Sequence, residues 1–243
     1  SLSAVRGGIV IETDNATPAY DALVGLTIKN FFVWDASDCS FTPVYLNNNR
    51  PADATATDIV IENGTIQDCG TKTILYTVST KLFRNVTVRN VQTIVTAASG
   101  VDAGIRNLTL GGQTLNCTVW GGGKGSTSYA IQAGTNGLIQ GCRVDSYYGQ
   151  ALALYDGSIA NGNIVLNHRS GSGIYVIPTV TKASATNNHL YGANGLADRM
   201  DYGITEGATC NYNVFENNRI VDYLTSPASL VGANTEARHN PGY

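Results

Sequence analysis

The sequence predicts an all-β solenoid of about eight to nine coils, and three observations carry that prediction. A short unit recurs from end to end: IKNFFV (28–33), IENGTI (61–66), VRNVQT (88–93), LGGQTL (110–115), IQGCRV (139–144), IANGNI (159–164), ATNNHL (185–190) and FENNRI (215–220). In each copy one apolar residue precedes a turn residue by two positions and another follows it by three, Thr93 being the exception. The turn residues are Asn30, Asn63, Asn90, Gly112, Gly141, Asn161, Asn187 and Asn217, with Asn240 as a ninth. Asn and Gly enter the left-handed backbone region at the least cost. Their intervals, 20 to 33 residues, fit one strand–turn–strand unit per repeat with insertions of variable length.

The elements follow in order. GGIVIE (7–12) opens the first coil; Pro18 and polar turn formers fill 13–24, and GLTIKN leads into the turn at Asn30 and then Phe31, Phe32, Val33 and Trp34. PVYL (43–46) begins the second coil, and the polar, Pro-containing NNNRPADATATD after it is a surface loop. ILYTV (74–78) belongs to the third coil and VDAGIRNLTLGG to the fourth, the most compact; glycines 121–123 and 125 form a flexible loop ahead of the fifth. From residue 128 the opening strands are clear: YAIQAG, ALALYDG, GIYVIP, YGITEG and SLVGAN, aligned on Ile131, Leu152, Ile174, Ile204 and Leu230. Successive side chains of a strand face opposite ways, so Gln132, Ala153, Tyr175, Thr205 and Val231 point outward. The long connection 191–201, carrying Asp198, Arg199 and Asp201, is expected to overhang that face. Val, Ile and Leu dominate the inward columns, as stacked parallel strands require.

No linker interrupts the repeat, so residues 1–243 form one domain. An open solenoid exposes strand edges at both ends. No amphipathic helix precedes Gly7 and the sequence stops just after a turn, which reads as a fragment of a longer chain or a subunit shielded by neighbours.

These features resemble the right-handed parallel β-helices of the pectin-lyase-like superfamily, which includes polysaccharide lyases, many glycosidases and phage tailspikes. The resemblance spans nearly the whole chain. It implies a single-stranded right-handed parallel β-helix with an Asn ladder at the tight turn between the second and third strands of each coil. It implies no particular activity, because one scaffold carries many chemistries. The Asn-Thr-Asp, Asp-Asp and Gly-His-Gly motifs of polygalacturonases are absent. The Tyr-Gly-x-Asp-Pro-His of mannuronan epimerases meets only Tyr202, Gly203, Ile204, Thr205 and Glu206.

Composition excludes several classes. Charged residues are 14% of the chain, the net charge is −3 and no basic run occurs, so nucleic acid is not the main partner. No apolar run approaches the roughly 20 residues of a membrane span. SLSAVRGG lacks the charged and apolar regions of a signal peptide. Cys39, Cys69, Cys117, Cys142 and Cys210 are odd in number and follow no metal-ligand spacing. They read as free buried thiols, which points to folding in a reducing cytosol, as for a virion protein assembled inside a bacterium. His168, His189 and His239 are scattered, and no glycine motif sits between a strand and an amphipathic helix, so no cofactor is expected.

Tyrosine is the residue type that points to a ligand. Of thirteen, nine fall between 129 and 223. Aromatic rings offer flat apolar faces to sugar C–H groups and a hydroxyl for hydrogen bonding, although Tyr also simply suits half-buried strands. Tyr155 and Tyr175, with Gln132 and Thr205 on the same face and Arg199 from the long connection, form the candidate substrate-binding set. Glycoside hydrolysis needs two carboxylates across the scissile bond. Asp156 and Glu206 lie two coils apart, a backbone separation of roughly 10 Å, which suits an inverting pair; Asp201 is a third candidate acid. Strict alternation, however, turns Glu206 inward, where a charge is costly.

Together with the resemblance, these readings lead to a phage tailspike-like protein that binds and hydrolyses a bacterial surface polysaccharide, on a virion tail or outside the cell. A homotrimer is implied by the resemblance alone. A non-catalytic carbohydrate-binding or structural shaft, and a secreted lyase using a Lys, Arg or Tyr base with Ca²⁺, are the alternatives.

Overall fold

The computed structural model describes residues 9–13, 24–34, 44–48, 56–68, 75–77, 83–96, 103–123, 128–195 and 199–241. Every named strand pairing is parallel, and no helix occurs among these residues. The chain is a parallel β-solenoid, as the repeat predicts. The first strands of successive coils stack into one nine-stranded sheet: Ile9–Thr13, Val44–Asn48, Leu75–Thr77, Ala103–Asn107, Tyr129–Ala133, Gln150–Leu154, Ser172–Val176, Tyr202–Glu206 and Ser226–Ser229. The last six of these, from Ala103 onward, make about six turns.

Second and third strands form two further ladders. These join into one 15-stranded sheet where Val60–Gln67 and Thr87–Ile94 run unbroken through the corner. In cross-section the coil therefore has three sides around an aliphatic core. Ile131, Leu152, Ile174 and Ile204 face inward from the first sheet and are fully buried. On the second side Ile61, Val88, Thr114, Ile139, Ala160, Ala185 and Phe215 stack, and on the third Ile66, Thr93, Val119, Val144, Val165, Leu190 and Ile220. Burying such side chains is worth about 1.5–3 kcal/mol each, which makes these columns the main source of stability.

The corner between the second and third sides corrects the sequence alignment. The left-handed residues there are Asn30, Asn63, Asn90, Asn116, Gly141, Gly162, Asn187, Asn217 and His239. In three coils the expected residue was misplaced: Gly112 for Asn116, Asn161 for Gly162 and Asn240 for His239. A second correction concerns the ladder itself. The left-handed Asn residues are exposed; the buried ladder lies one residue later, in Asn163, Asn188, Asn218 and Asn240. Each of Asn163, Asn188 and Asn218 donates from Nδ2 to Oδ1 of the next and also to a core-facing carbonyl. Toward the N-terminus the same column continues through Cys142, Cys117, Val91, Gly64 and Phe31. Cys142 N donates to Asn163 Oδ1 at 2.9 Å and Cys117 N to Cys142 Sγ at 3.4 Å, so the ladder changes from amides to thiols and then to apolar packing that ends with the Phe31 ring over Gly64.

Cys117, Cys142 and Cys210 are free and buried, as expected; Cys39 and Cys69 lie outside the described residues. Hydrogen bonding to Cys117 and burial hold the Cys142 thiol well above its ordinary pKa. No helix among the described residues is long and apolar enough to cross a membrane.

Candidate functional site

The outward side of the first sheet brings most of the predicted binding residues together. Register places Arg106, Gln132, Ala153, Tyr175, Thr205 and Ser229 in one outward column. Ser229 replaces Val231 in that column, and Ala228 replaces Leu230 inward, because the last strand is Ser226–Ser229 and pairs Ile204 with Ala228. Alternation breaks at the start of the strands, where Ala130 and Ala151 pack in the core beside Ile131 and Leu152; the row before them holds Tyr129, Gln150, Ser172 and Tyr202, and Ser172 reaches Thr205 of the outward column.

Hydrogen bonds and ring contacts fasten these rows across coils. Arg106 Nε donates to Gln132 Oε1 at 2.7 Å, and Gln132 Nε2 donates to the Tyr155 hydroxyl at 3.3 Å. Three successive coils are thus linked by side chains alone. Gln132 is only 1% exposed despite facing out, because its polar ends are engaged by Arg106 and Tyr155. The rings of Tyr129 and Tyr175 stack with centroids 6.4 Å apart and planes 19° from parallel. Between their coils the column residue is Ala153, whose small side chain leaves room for rings to lie along the sheet. Burial, and then the neighbouring Tyr129, raise the Tyr175 pKa, so its hydroxyl stays protonated. Ser172 Oγ donates to Thr205 Oγ1 at 2.8 Å, and Ser172 N donates to Gln150 Oε1 at 2.7 Å. The result is a face of half-buried tyrosines edged by amides, hydroxyls and one guanidinium.

The predicted acids do not converge on this face. Glu206 ends its strand and points inward, 3% exposed. Its Oε1 accepts from Asn213 Nδ2 and Thr235 Oγ1, both at 2.7 Å, and its Oε2 accepts from the backbone N–H groups of Val231 and Gly232 at 2.9 Å. Burial raises its pKa, but these four donors more than offset it and the net shift is downward. An ionised carboxylate with both oxygens engaged is anchored to the following turn and is a poor proton donor.

Asp156 is exposed in the turn after Gln150–Leu154, where Oδ1 accepts from Thr181 N at 2.6 Å. Its coil is two strands from that of Glu206, as expected, but one acid faces solvent and the other the interior, so they share no groove. Asp201 precedes Tyr202 at the opposite end of the strand from Glu206, about 16 Å along it, and its Oδ2 accepts from Gly171 N at 2.7 Å. The catalytic trio of the sequence reading is therefore not assembled.

Arg199 and the connection behave differently from expectation as well. Asp198 lies outside the described residues. Arg199 makes an antiparallel bridge with Arg169, and Met200 is wholly buried, so the chain is back at the core by residue 200, before the next strand; residues 196–198, in the middle of the connection, lie outside the described residues. No ion pair joins Arg199 to Asp201 among the described residues, and Arg199 Nε is buried without a partner. No group of three or more His, Cys, Asp or Glu residues among those described is placed to hold a metal.

Sequence reasoning missed Arg106, Gln150 and Ser172, and left Tyr129 among the tyrosines that simply suit a half-buried strand. Aligning Ile105 on Ile131 puts Arg106 directly beside Gln132, a signal that the sequence does contain.

Fold and face together define a parallel β-helix with a tyrosine-lined, amide-edged first sheet. No protein-family model matches the chain, and no curated protein does. Among solved structures it is similar to the A-module of the Azotobacter vinelandii mannuronan C-5 epimerase AlgE4, at 13% identity and a TM-score of 0.39, over 94% of this chain and 80% of that one. The AlgE6 A-module from the same organism gives 12% identity and a TM-score of 0.38, over 98% and 84%.

Proposed function

We propose that this chain is a polysaccharide-binding β-helix that takes a glycan along the outward face of its first sheet. The observation that carries the reading is the Tyr129–Tyr175 stack beside the Arg106–Gln132–Tyr155 hydrogen-bond chain. Rings set along a sheet give sugar C–H faces a flat apolar support, and the surrounding amides and hydroxyls supply donors and acceptors for ring hydroxyls. A sheet whose strands repeat about every 4.8 Å suits an extended polymer better than a small molecule.

Binding is the reading we favour over hydrolysis, because Glu206 is anchored inward and neither Glu206 nor Asp201 joins Asp156 in a groove among the described residues. A tailspike-like setting, on a virion tail or otherwise outside the cell, and assembly of three such solenoids belong to the same proposal. Incubation with a panel of bacterial surface glycans tests it. Retention of a glycan with neither new reducing ends nor ultraviolet absorbance from an unsaturated uronate is the expected result. New reducing ends alone would restore the hydrolase reading, absorbance would favour a lyase, and no retention of any glycan would remove the proposal.

A further inference from the structure

We propose a second sugar site, at the corner between the second and third sides, distinct from the tyrosine face. In that corner's left-handed column, Asn occupies every position from Asn30 to Asn217 except two consecutive ones, Gly141 and Gly162. Beside these two glycines of adjacent coils lies a pocket of about 320 Å³ lined by Leu115, Asn116, Gln140, Gly141, Asn161 and Gly162, with Asn116 Oδ1 leaning over Gly141 and open space over Gly162. That volume is at the small end of ligand pockets and is enough for one sugar unit.

The chemistry of the lining narrows the ligand. The side-chain amides of Asn116 and Gln140 make no hydrogen bond to any described residue. Asn161 Oδ1 is engaged by Thr186 Oγ1 and Asn187 Nδ2, both at 3.2 Å, which leaves its Nδ2 as a donor. Leu115 is half-buried and supplies an apolar contact. No charged residue lines the pocket. Arg89, the ladder neighbour of Leu115, is held by Glu62 with Nε to Oε2 at 2.6 Å, so it offers no free cation to an acidic sugar or a phosphate. Uncharged amide donors and acceptors beside one apolar patch match a neutral pyranose, which presents hydroxyls at its rim and C–H groups on its face. This assignment is read from the lining and does not rest on the tyrosine face.

Gly162 supplies a clean test. A Cβ built there meets nothing within 4 Å, and its φ of +63° is one that Asn adopts in this same column, so Gly162→Asn fills the pocket without straining the fold. The side-chain NH₂ resonances of Asn116, Gln140 and Asn161 are followed by nitrogen–proton NMR while glucose, galactose and N-acetylglucosamine are added. With at least one of these sugars the three amides should shift saturably in the millimolar range. The shifts should vanish in Gly162→Asn, weaken several-fold in Gln140→Ala, whose exposed amide holds nothing in place, and persist in Tyr175→Ala. Absence of a saturable shift up to the solubility limit of all three sugars would overturn the site. So would shifts that survive in Gly162→Asn, or that disappear in Tyr175→Ala.

Discussion

Asn188 donates from Nδ2 to Oδ1 of Asn218 at 2.8 Å, and Asn218 Oδ1 also accepts from Asn188 N at 3.1 Å. One amide oxygen thus holds two donors of the coil before it. The neighbouring Asn187 is exposed, has a φ of 58° and makes one side-chain bond, to Asn161 Oδ1. Adjacent residues of the same type therefore have unrelated roles: Asn187 permits the turn, and Asn188 satisfies buried backbone groups.

That difference is measurable. Asn188→Ala leaves Ala160 O without its side-chain donor, and leaves Asn163 N and Nδ2 without their acceptor. Unsatisfied buried polar groups cost about 1–3 kcal/mol each, partly relieved by relaxation, so a loss of about 3 kcal/mol is expected. Asn187→Gly keeps the left-handed conformation and should change stability by less than about 0.5 kcal/mol. Urea unfolding of the two variants checks this; equal losses would mean that the exposed column holds the corner as much as the buried one does.

Glu206→Gln separates anchoring from chemistry. Replacing the carboxylate puts an NH₂ group where two backbone N–H donors, or Asn213 and Thr235, now point. A loss of about 2–3 kcal/mol is expected, since hydrogen bonds to a charged group are among the stronger ones. Glycan retention at room temperature should be unchanged. A variant as stable as the parent that no longer processes a glycan would return Glu206 to the catalytic list. The folded-state pKa is lowered, so the carboxylate's contribution is present above its unfolded pKa and is lost as pH falls through the folded value.

How much of this was legible in the sequence turns on residue size and on period. The three-sided coil was legible because Ile61, Val88 and Ile139 recur around turn residues at fixed offsets. The alignment slipped by one in the sixth coil because Ile159 and Ile164 look like core residues. They are 43% and 40% exposed, and the smaller Ala160 and Val165 face inward. It slipped by four in the fourth coil because the core position belongs to Thr114, which a search for apolar residues rejects. Tyr175, Gln132 and Thr205 were placed on the right face by alternation alone, since a period of two leaves no ambiguity once one inward residue is known. Alternation also turned Glu206 inward. What it lacked was the loop that supplies Glu206 with donors 25 to 29 residues later, a contact that no local pattern encodes.

His168 predicts how the fold responds to acid. It is fully buried, neither ring nitrogen makes a hydrogen bond of good geometry, and burial depresses its pKa from 6.5 to about 4, with the nearby backbone of Gly149 and Ser172 offsetting this only in part. Folded His168 is therefore neutral through a range in which the unfolded residue takes up a proton. Stability is at its full value above pH 6.5 and falls as pH drops toward about 4, by about 3 kcal/mol in total. His168→Phe should flatten the denaturation midpoint over that window. If Cm in the parent is constant between those two pH values, the imidazole is not excluded from solvent as placed.

The tyrosine face makes the last prediction, and it depends on having a glycan that the protein retains. Tyr175 contributes one of two stacked rings, and its half-buried position means that its removal exposes sheet backbone without opening the core. Loss of one such ring should weaken retention about tenfold, or about 1.4 kcal/mol, the scale of a single aromatic contact. Tyr155→Phe keeps the ring but leaves Gln132 Nε2 without its hydroxyl partner, so Gln132 is freed to reorient and a smaller loss is expected. Trp120, 42% exposed on the third side, is a ring of greater area on a different face. Trp120→Ala should leave retention unchanged, which isothermal titration on the three variants resolves. A Trp120→Ala loss as large as that of Tyr175→Ala would move the glycan to the third side and leave the first sheet's tyrosines as packing alone.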